Sequence, residues 1–366
     1  MIFNTCLIVF ILLLYIVLHS QHRVKKETSD KIFLTIVFFT FFFFVAFRGF
    51  DIGNDTKMYL NLFNKCGIEK WSILKYNTYF EKGYVVFNIL LSYISKSSRF
   101  FMIIMSAIFN YGFYRFIKKY SKNYLLSTLM YLGLLFFYTS MTMMRQFCAI
   151  LIVLYALKYA EQKKIIPFIL CIIFASLFHS SAWIGIIYYF IDNLKFTKKR
   201  VIIILIISMV LSAFIGPAVD KFYSIIGRTN YYESRVGSDS ISTILYAFIY
   251  FILFFICYIV SHKKHSEELK DEKTNFYLYS ILLASCTSIL AINMNILSRA
   301  ILYFSILTII AVPNILYTYL NKKDNRMIAS IILIIFLISY SNVIIYFRPE
   351  WNSAYNYKIC INDDCR

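Results

Sequence analysis

KIFLTIVFFTFFFFVAFR, residues 31–48, decides the fold: between Lys31 and Arg48 there is no charge, and apart from Thr35 and Thr40 every residue is apolar. A surface helix of a soluble protein keeps one polar face, and this stretch has none. Its length approaches the ~17–25 residues that cross a bilayer. Working outward, the same signature recurs between charge clusters at 2–20, 100–117, 124–140, 145–160, 165–178, 180–191, 201–217, 241–261, 276–294, 298–320 and 327–347. With 32–47 these make twelve candidate spans. The expectation is an all-α integral membrane protein, a polytopic bundle of about 12 transmembrane helices forming one domain over 1–366. One further run, 83–95, is too short to cross comfortably and reads as a re-entrant or half-crossing segment. The runs 165–178 and 180–191 are short as well, and His179 between them marks a tight turn near one membrane surface.

Composition agrees. The chain has 366 residues, 60% hydrophobic and 16% charged, against about 25% charged in an average soluble domain. Mean hydropathy is +0.66. Four prolines and ten glycines exclude collagen-like and linker-rich classes. Ile2–Leu18 has no basic n-region and no A-x-A site, so it reads as an uncleaved membrane helix. Of eight cysteines, Cys6, Cys148, Cys171, Cys257 and Cys286 lie in apolar runs and act as small hydrophobes. Cys66, Cys360 and Cys365 lie in polar segments, the last two spaced for at most a local disulfide, and no metal-ligand spacing of Cys or His occurs.

The net charge of +19 would suggest nucleic acid in a soluble protein. Here it has another cause, because basic residues in short loops mark the cytoplasmic side. The loops 21–31, 115–123, 158–164, 192–200, 262–273 and 321–326 hold 22 of the 38 Lys and Arg. Placing them inside puts both termini outside, with long outer segments at 48–99 and 218–240 and an outer tail at 348–366. Those inner loops take 18 of 26 lysines but only four of 12 arginines. The other eight arginines, Arg48, Arg99, Arg145, Arg228, Arg235, Arg299, Arg348 and Arg366, fall on the outer face. Topology does not require them there, and a planar fork of donors suits phosphate or carboxylate. Arg145 and Arg299 stand alone where apolar runs begin, with no acidic neighbour in sequence, so each needs a partner. No charge falls in the middle of a span, which speaks against a proton relay or ion path.

Several outer clusters carry chemistry. Arg48-Gly-Phe-Asp-Ile-Gly53-Asn-Asp55-Thr56-Lys-Met-Tyr59 packs a cation, two carboxylates, two glycines and a phenol into one loop. It reads as an anion site, or as a capped turn in which Asn54 or Asp55 starts an amphipathic helix over Met58–Phe63. Glu81-Lys-Gly83-Tyr84 with Asn88 follows. Glu81 there is a base, a partner for an outer arginine or a solvated charge. Met144-Arg145-Gln146 opens a span, His179-Ser180-Ser181-Ala182 occupies the tight turn, and Asn293-Met-Asn295 leads to Arg299. Arg228, Tyr231, Tyr232 and Arg235 give the 218–240 loop a basic-aromatic mix suited to sugars and phosphates, or to an interfacial helix.

In order, Arg48…Gly53-x-Asp55-Thr56-x-x-Tyr59, Glu81-x-Gly83-Tyr84 with Asn88, Arg145-Gln146, His179-Ser-Ser-Ala and Asn295…Arg299 resemble the EpsG family, a branch of the Wzy-type polysaccharide polymerases. The resemblance runs from about residue 30 to about 355, and the Trp351…Tyr355-x-Tyr357 tail is in keeping with it. It implies a membrane glycosyltransferase, compatible with a GT-C-like arrangement. Such an enzyme joins undecaprenyl-pyrophosphate-linked oligosaccharide repeats into capsule or exopolysaccharide at the outer face of the bacterial plasma membrane, without metal or other cofactor. Its partners are the lipid-linked oligosaccharide, the bilayer, and a chain-length regulator and a flippase; nucleic acid is not among them. The chain departs from the family at Thr142-Met143-Met144, where an Asn commonly precedes the Arg-Gln pair.

Departure of a pyrophosphate concentrates negative charge, so preorganised arginines should supply the largest catalytic effect. Arg145 and Arg299, with Arg48 in support, are the expected pyrophosphate ligands. His179 is the expected base, its ordinary pKa of about 6.5 suiting the task, with Asp55 and Glu81 as rivals. Arg228, Arg235, Tyr59, Tyr84 and Asn295 are the expected glycan contacts. A flippase or other transporter would also fit many spans, but would place polar or broken helices at the midplane and show internal repeats. A glycan ligase or acyltransferase would want His and Arg on one face too.

Overall fold

The computed structural model describes residues 2–20, 25–191, 194–225, 240–262, 273–292, 297–320, 322–348 and 357–361. These are helical with no strand among them. The one extended feature is an isolated antiparallel bridge between Arg48 and Ile359. The chain divides into two compact units, one of Met1–Tyr159, Lys164–Trp183 and Met327–Arg366, the other of Ala160–Lys163 and Ile184–Arg326.

The first unit is built from α1 (Ile2–Ser20), α2 (Lys26–Ala46), α3 (Thr56–Glu69), a 3-10 turn (Lys70–Lys75), α4 (Lys82–Ile94), α5 (Ser98–Tyr120), α6 (Tyr124–Gly133), α7 (Phe136–Thr142), most of α8 (Met144–Glu161) and α9 (Ile165–Ser176). The second holds α10 (Ile187–Ile191), α11 (Lys198–Ile225), α12 (Ser240–Ser261), α13 (Thr274–Ala291), α14 (Ser298–Ser305) and α15 (Thr308–Tyr319). From it α16 (Lys323–Phe347) leads back into the first unit. In the first unit α2 packs on α5 and α3 on α4; in the second, α13 is the hub for α11, α12 and α14.

The helices carry bulky apolar side chains outside as well as inside. Val9, Leu13, Ile16 and Val17 of α1, and Phe248, Phe255 and Ile259 of α12, are exposed at helical spacing. In water such stripes would be untenable; in lipid they are the expected surface. Several polar side chains buried between helices are paired with one another. Asn4 of α1 donates to Ser341 Oγ (2.9 Å) and Asn342 Oδ1 (3.2 Å) of α16, and accepts from the Tyr138 hydroxyl (3.1 Å) of α7. Asn314 of α15 donates to Tyr277 Oη of α13 at 3.1 Å. Such contacts fix helix register where burial of apolar surface cannot.

Among the described residues seven helices are long and apolar enough to cross a membrane, or eight if the bent pair α6–α7 is one span. The expected twelve are therefore not established. Leu135, in the left-handed region at φ 65°, bends α6 against α7 by 50°. The 145–160 run forms α8, whose 18 residues include Arg145, Lys158 and Glu161. The 165–178 run yields a 12-residue helix and the 180–191 run a 3-10 turn plus a five-residue helix, short of a ~30 Å hydrocarbon core. The 83–95 run is the 13-residue α4.

Candidate functional site

A helix ends with carbonyls that nothing within the helix can satisfy. At the end of α2 each finds a donor. Phe43 O accepts from Phe47 N (3.0 Å), Phe44 O from the Tyr357 hydroxyl, Val45 O from Arg48 Nη1 (2.8 Å), Ala46 O from Arg99 Nη1 (2.8 Å) and Phe47 O from Cys360 N (2.6 Å). Arg48 also donates from Nε to Ile52 O (3.2 Å) and from Nη2 to Met141 O (3.1 Å) and Thr56 Oγ1 (3.4 Å), and it is 1% exposed. Arg48 is thus a structural cap. The expectation that it supports a pyrophosphate is corrected by geometry, because its donors are already directed at protein oxygens. Arg99 likewise reaches Arg48 O (2.9 Å) and lies over the Phe50 ring at 4.6 Å.

The loop after Arg48 is a turn that leads into α3. Gly53 has φ +86°, and a Cβ there would stand 2.7 Å from Met141 O, so glycine is required. Half-buried Asp55 occupies the N-cap position of α3 and accepts from Tyr59 N through its backbone oxygen (3.1 Å). The amphipathic helix it begins buries Tyr59, Leu60, Leu62 and Phe63.

Arg145 is situated differently. It is the second residue of α8, where the positive end of the helix dipole opposes it. Its partner is Glu81, at the N-cap of α4, whose Oε2 accepts from Arg145 Nη1. The other carboxylate oxygen, Oε1, accepts from the backbone N–H of Ser180 at 3.1 Å. Of the three roles open to Glu81, the structure selects the partner of an arginine. The side chains are 9% and 21% exposed, so the pair is largely withdrawn from water. Gly83 makes this reach possible: a Cβ there would lie 2.5 Å from Leu177 Cβ and 2.7 Å from Leu177 O. This close approach also lets Tyr84 N donate to Leu177 O (3.1 Å), fastening α4 to the turn that carries His179 and Ser180.

The Arg145 guanidinium is framed by the rings of Phe80 (4.8 Å to the centroid), Tyr79 (5.7 Å) and Tyr59 (5.9 Å). Tyr59 meets Tyr84 edge to face at 5.8 Å. Three buried polar atoms of this cluster, Arg145 Nε, the Tyr84 hydroxyl and Asn88 Oδ1, have no hydrogen-bond partner. Buried groups in that condition call for a ligand or water. Tyr59 and Tyr84, expected as glycan contacts, are fully buried; they shape the wall behind Arg145 and present no face to a sugar. Tyr79, which sequence reasoning passed over, is 63% exposed with its ring against Arg145. Its position two residues before Glu81 is the signal that could have found it.

His179 is buried, with Nδ1 2.6 Å from Ser181 Oγ and accepting from Ser181 N at 3.3 Å. With Nδ1 an acceptor, the neutral ring carries its proton on Nε2.

Arg299 belongs to the second unit, in the first turn of α14, partly exposed and engaged in interactions of its own. Arg228, Arg235 and Asn295 lie outside the described residues. Cys360 is disulfide-bonded and the six other described cysteines are free. Among the described residues no group of His, Cys, Asp or Glu is arranged to hold a metal ion.

Fold and site together define a multi-pass helical membrane protein with a buried arginine–carboxylate pair held at helix ends beside an exposed tyrosine. The EpsG family model matches residues 31–359, nearly the whole chain. The protein belongs to the EpsG family, the family of Wzy-like polysaccharide polymerases. No curated protein and no solved structure matches it.

Proposed function

We propose that this chain polymerises undecaprenyl-pyrophosphate-linked oligosaccharide repeat units into capsular or exopolysaccharide at the outer face of the plasma membrane. Family membership supports a polymerase-like glycosyltransferase. The observation that carries the mechanism is Arg145, a guanidinium held on one side by Glu81, with its Nε buried and unpartnered. Glycosyl transfer from a lipid pyrophosphate forms a bond between an acceptor oxygen and the anomeric carbon while the bond to the phosphate oxygen breaks. Negative charge then accumulates on the leaving group, where a fixed cation at a helix N-terminus stabilises it more in the transition state than in the ground state. Glu81 positions the cation, and the acceptor hydroxyl gives up its proton to a base, for which His179 and Asp55 are the candidates. Arg299, where an apolar helix begins, is proposed as a further phosphate ligand on the family resemblance.

The test is purified protein incubated with lipid-linked repeat units. A polymer ladder is expected, and Arg145→Ala should abolish it while the protein stays in the membrane fraction. A single addition would identify a ligase, and translocation without new bonds a flippase. Unchanged chain length in Arg145→Ala would remove Arg145 from the mechanism.

A further inference from the structure

We propose that the α3–α4 hairpin lies in the plane of the membrane interface, with its apolar edge in the acyl boundary and its lysines on anionic phospholipid headgroups.

The hairpin is bound to one membrane face at both ends. It leaves α2 at Ala46 and enters α5 at Ser98, two candidate membrane-spanning helices that pack against each other. Arg99 Nη1 donates to Ala46 O at 2.8 Å, so the end of one helix and the start of the other stand at the same level. The connecting segment therefore begins and finishes at the membrane surface.

Its own surface is that of an interfacial element. On α4 one side is packed within the unit through Tyr84, Val85, Asn88, Ile89 and Leu91, yet the other side exposes Leu90, Tyr93 and Ile94, the last 73%. A helix apolar all round needs an apolar medium on its free side. Ile68 at the end of α3 is 81% exposed, and Trp71 and Tyr76 on the turn that follows are exposed as well. Trp and Tyr with one apolar and one polar end gather at headgroup level.

Charge names the lipid. Residues 56–97 contain six lysines and no arginine against Glu69 and Glu81, and Glu81 is already paired with Arg145. Lys82 and Lys96 bracket α4, one at each end. At 1.5 Å per residue its 13 residues measure about 20 Å, less than the ~30 Å core. With a lysine at both ends, a helix inserted end-on would drag one ammonium into hydrocarbon, whereas a helix lying flat keeps both at the headgroups and its stripe about 5–10 Å below them. Lys70 instead turns onto α4, its Nζ 4.0 Å from the Tyr93 ring centroid and donating to Ser92 Oγ at 3.1 Å and Ser92 O at 3.3 Å, which leaves the other five lysines for the headgroups. The polymerase proposal does not enter into this inference.

The experiment uses the full chain in proteoliposomes, with Trp183→Phe and Trp351→Phe leaving Trp71 as the only tryptophan of the three. Phosphatidylcholine brominated at successive acyl positions reports depth, and aqueous iodide reports exposure to water. Trp71 should lose the larger part of its emission to bromine near the glycerol, less to bromine at the chain end, and little to iodide. Brominated phosphatidylglycerol should quench more than brominated phosphatidylcholine, and Lys65→Gln with Lys75→Gln should remove that excess. Quenching by iodide and not by bromolipid would place the hairpin in water. Strongest quenching at the chain end would make α4 a re-entrant segment, and protection from both quenchers would mean that protein covers the face. Each of these overturns the proposal, and equal quenching by the two lipids overturns its electrostatic part.

Discussion

Removing Glu81 should produce a recognisable energetic pattern. The Arg145 side chain is 9% exposed and Glu81 is its only carboxylate partner among the described residues, so Glu81→Ala leaves a nearly buried cation facing aromatic rings. Breaking one side of a buried pair costs about 3–5 kcal/mol, and the Ser180 N–H loses an acceptor worth about 1 kcal/mol. Glu81 is itself 21% exposed, which lets water replace part of what is lost, so the expected destabilisation is about 3 kcal/mol. The double variant Glu81→Ala/Arg145→Met removes the stranded charge as well and should be more stable than Glu81→Ala alone. Its coupling should be about 2 kcal/mol, against about 0.3–0.5 for independent sites. Denaturant unfolding of the detergent-purified protein measures the stabilities of wild type, both single variants and the double. Polymer ladders from the same preparations report activity, expected to be lost in all three. If the two substitutions add independently, or if Glu81→Ala is as stable as wild type, the pair is not the buried, coupled unit described here.

Arg48→Ala and Arg99→Ala should each reduce folded protein by unfolding measurements, by about 2–4 kcal/mol, since carbonyls at the end of α2 lose their charged donors; Arg145→Ala should instead remove activity at near-normal abundance. Gly83→Ala forces α4 away from Leu177, at a cost of about 1–3 kcal/mol, and should cost activity as Glu81→Ala does, because Glu81 can no longer reach Ser180 N; full activity would show that the close approach is dispensable. Tyr79→Ala should raise KM for the lipid-linked substrate with little change in stability, and Tyr79→Phe should leave it near wild type, since it is the exposed ring and not the hydroxyl that lies beside Arg145. Ser181→Ala takes one of two donors from His179 Nδ1 and should lower kcat several-fold, roughly 1 kcal/mol, with unfolding unchanged.

Arg48 and Arg145 show how far the sequence could be read. Both stand at the edge of an apolar run, and the sequence suggests a pyrophosphate for both, with Arg48 in support. They sit at opposite kinds of helix end. Arg48 follows a C-terminus, where unsatisfied carbonyls accept its donors, and it becomes a cap. Arg145 opens a helix, where the unsatisfied groups are N–H donors, so it must look elsewhere for an acceptor. That much was legible once helix direction was considered. That the acceptor is Glu81, 64 residues earlier, was not, because the meeting depends on α4 lying hard against Leu177.

The sequence by itself determined the class of protein: uncharged apolar runs have no stable place except lipid, and the ordered motifs carried the family. It did not settle the number of spans, because hydropathy does not register a left-handed Leu135 or the 12-residue length of α9. Only the tertiary structure decided which polar residues are satisfied within the protein and which keep open hydrogen-bonding groups. Burial is set by contacts between segments distant in the chain, and those contacts satisfied Arg48 completely while leaving the Arg145 Nε, Tyr84 Oη and Asn88 Oδ1 cluster open.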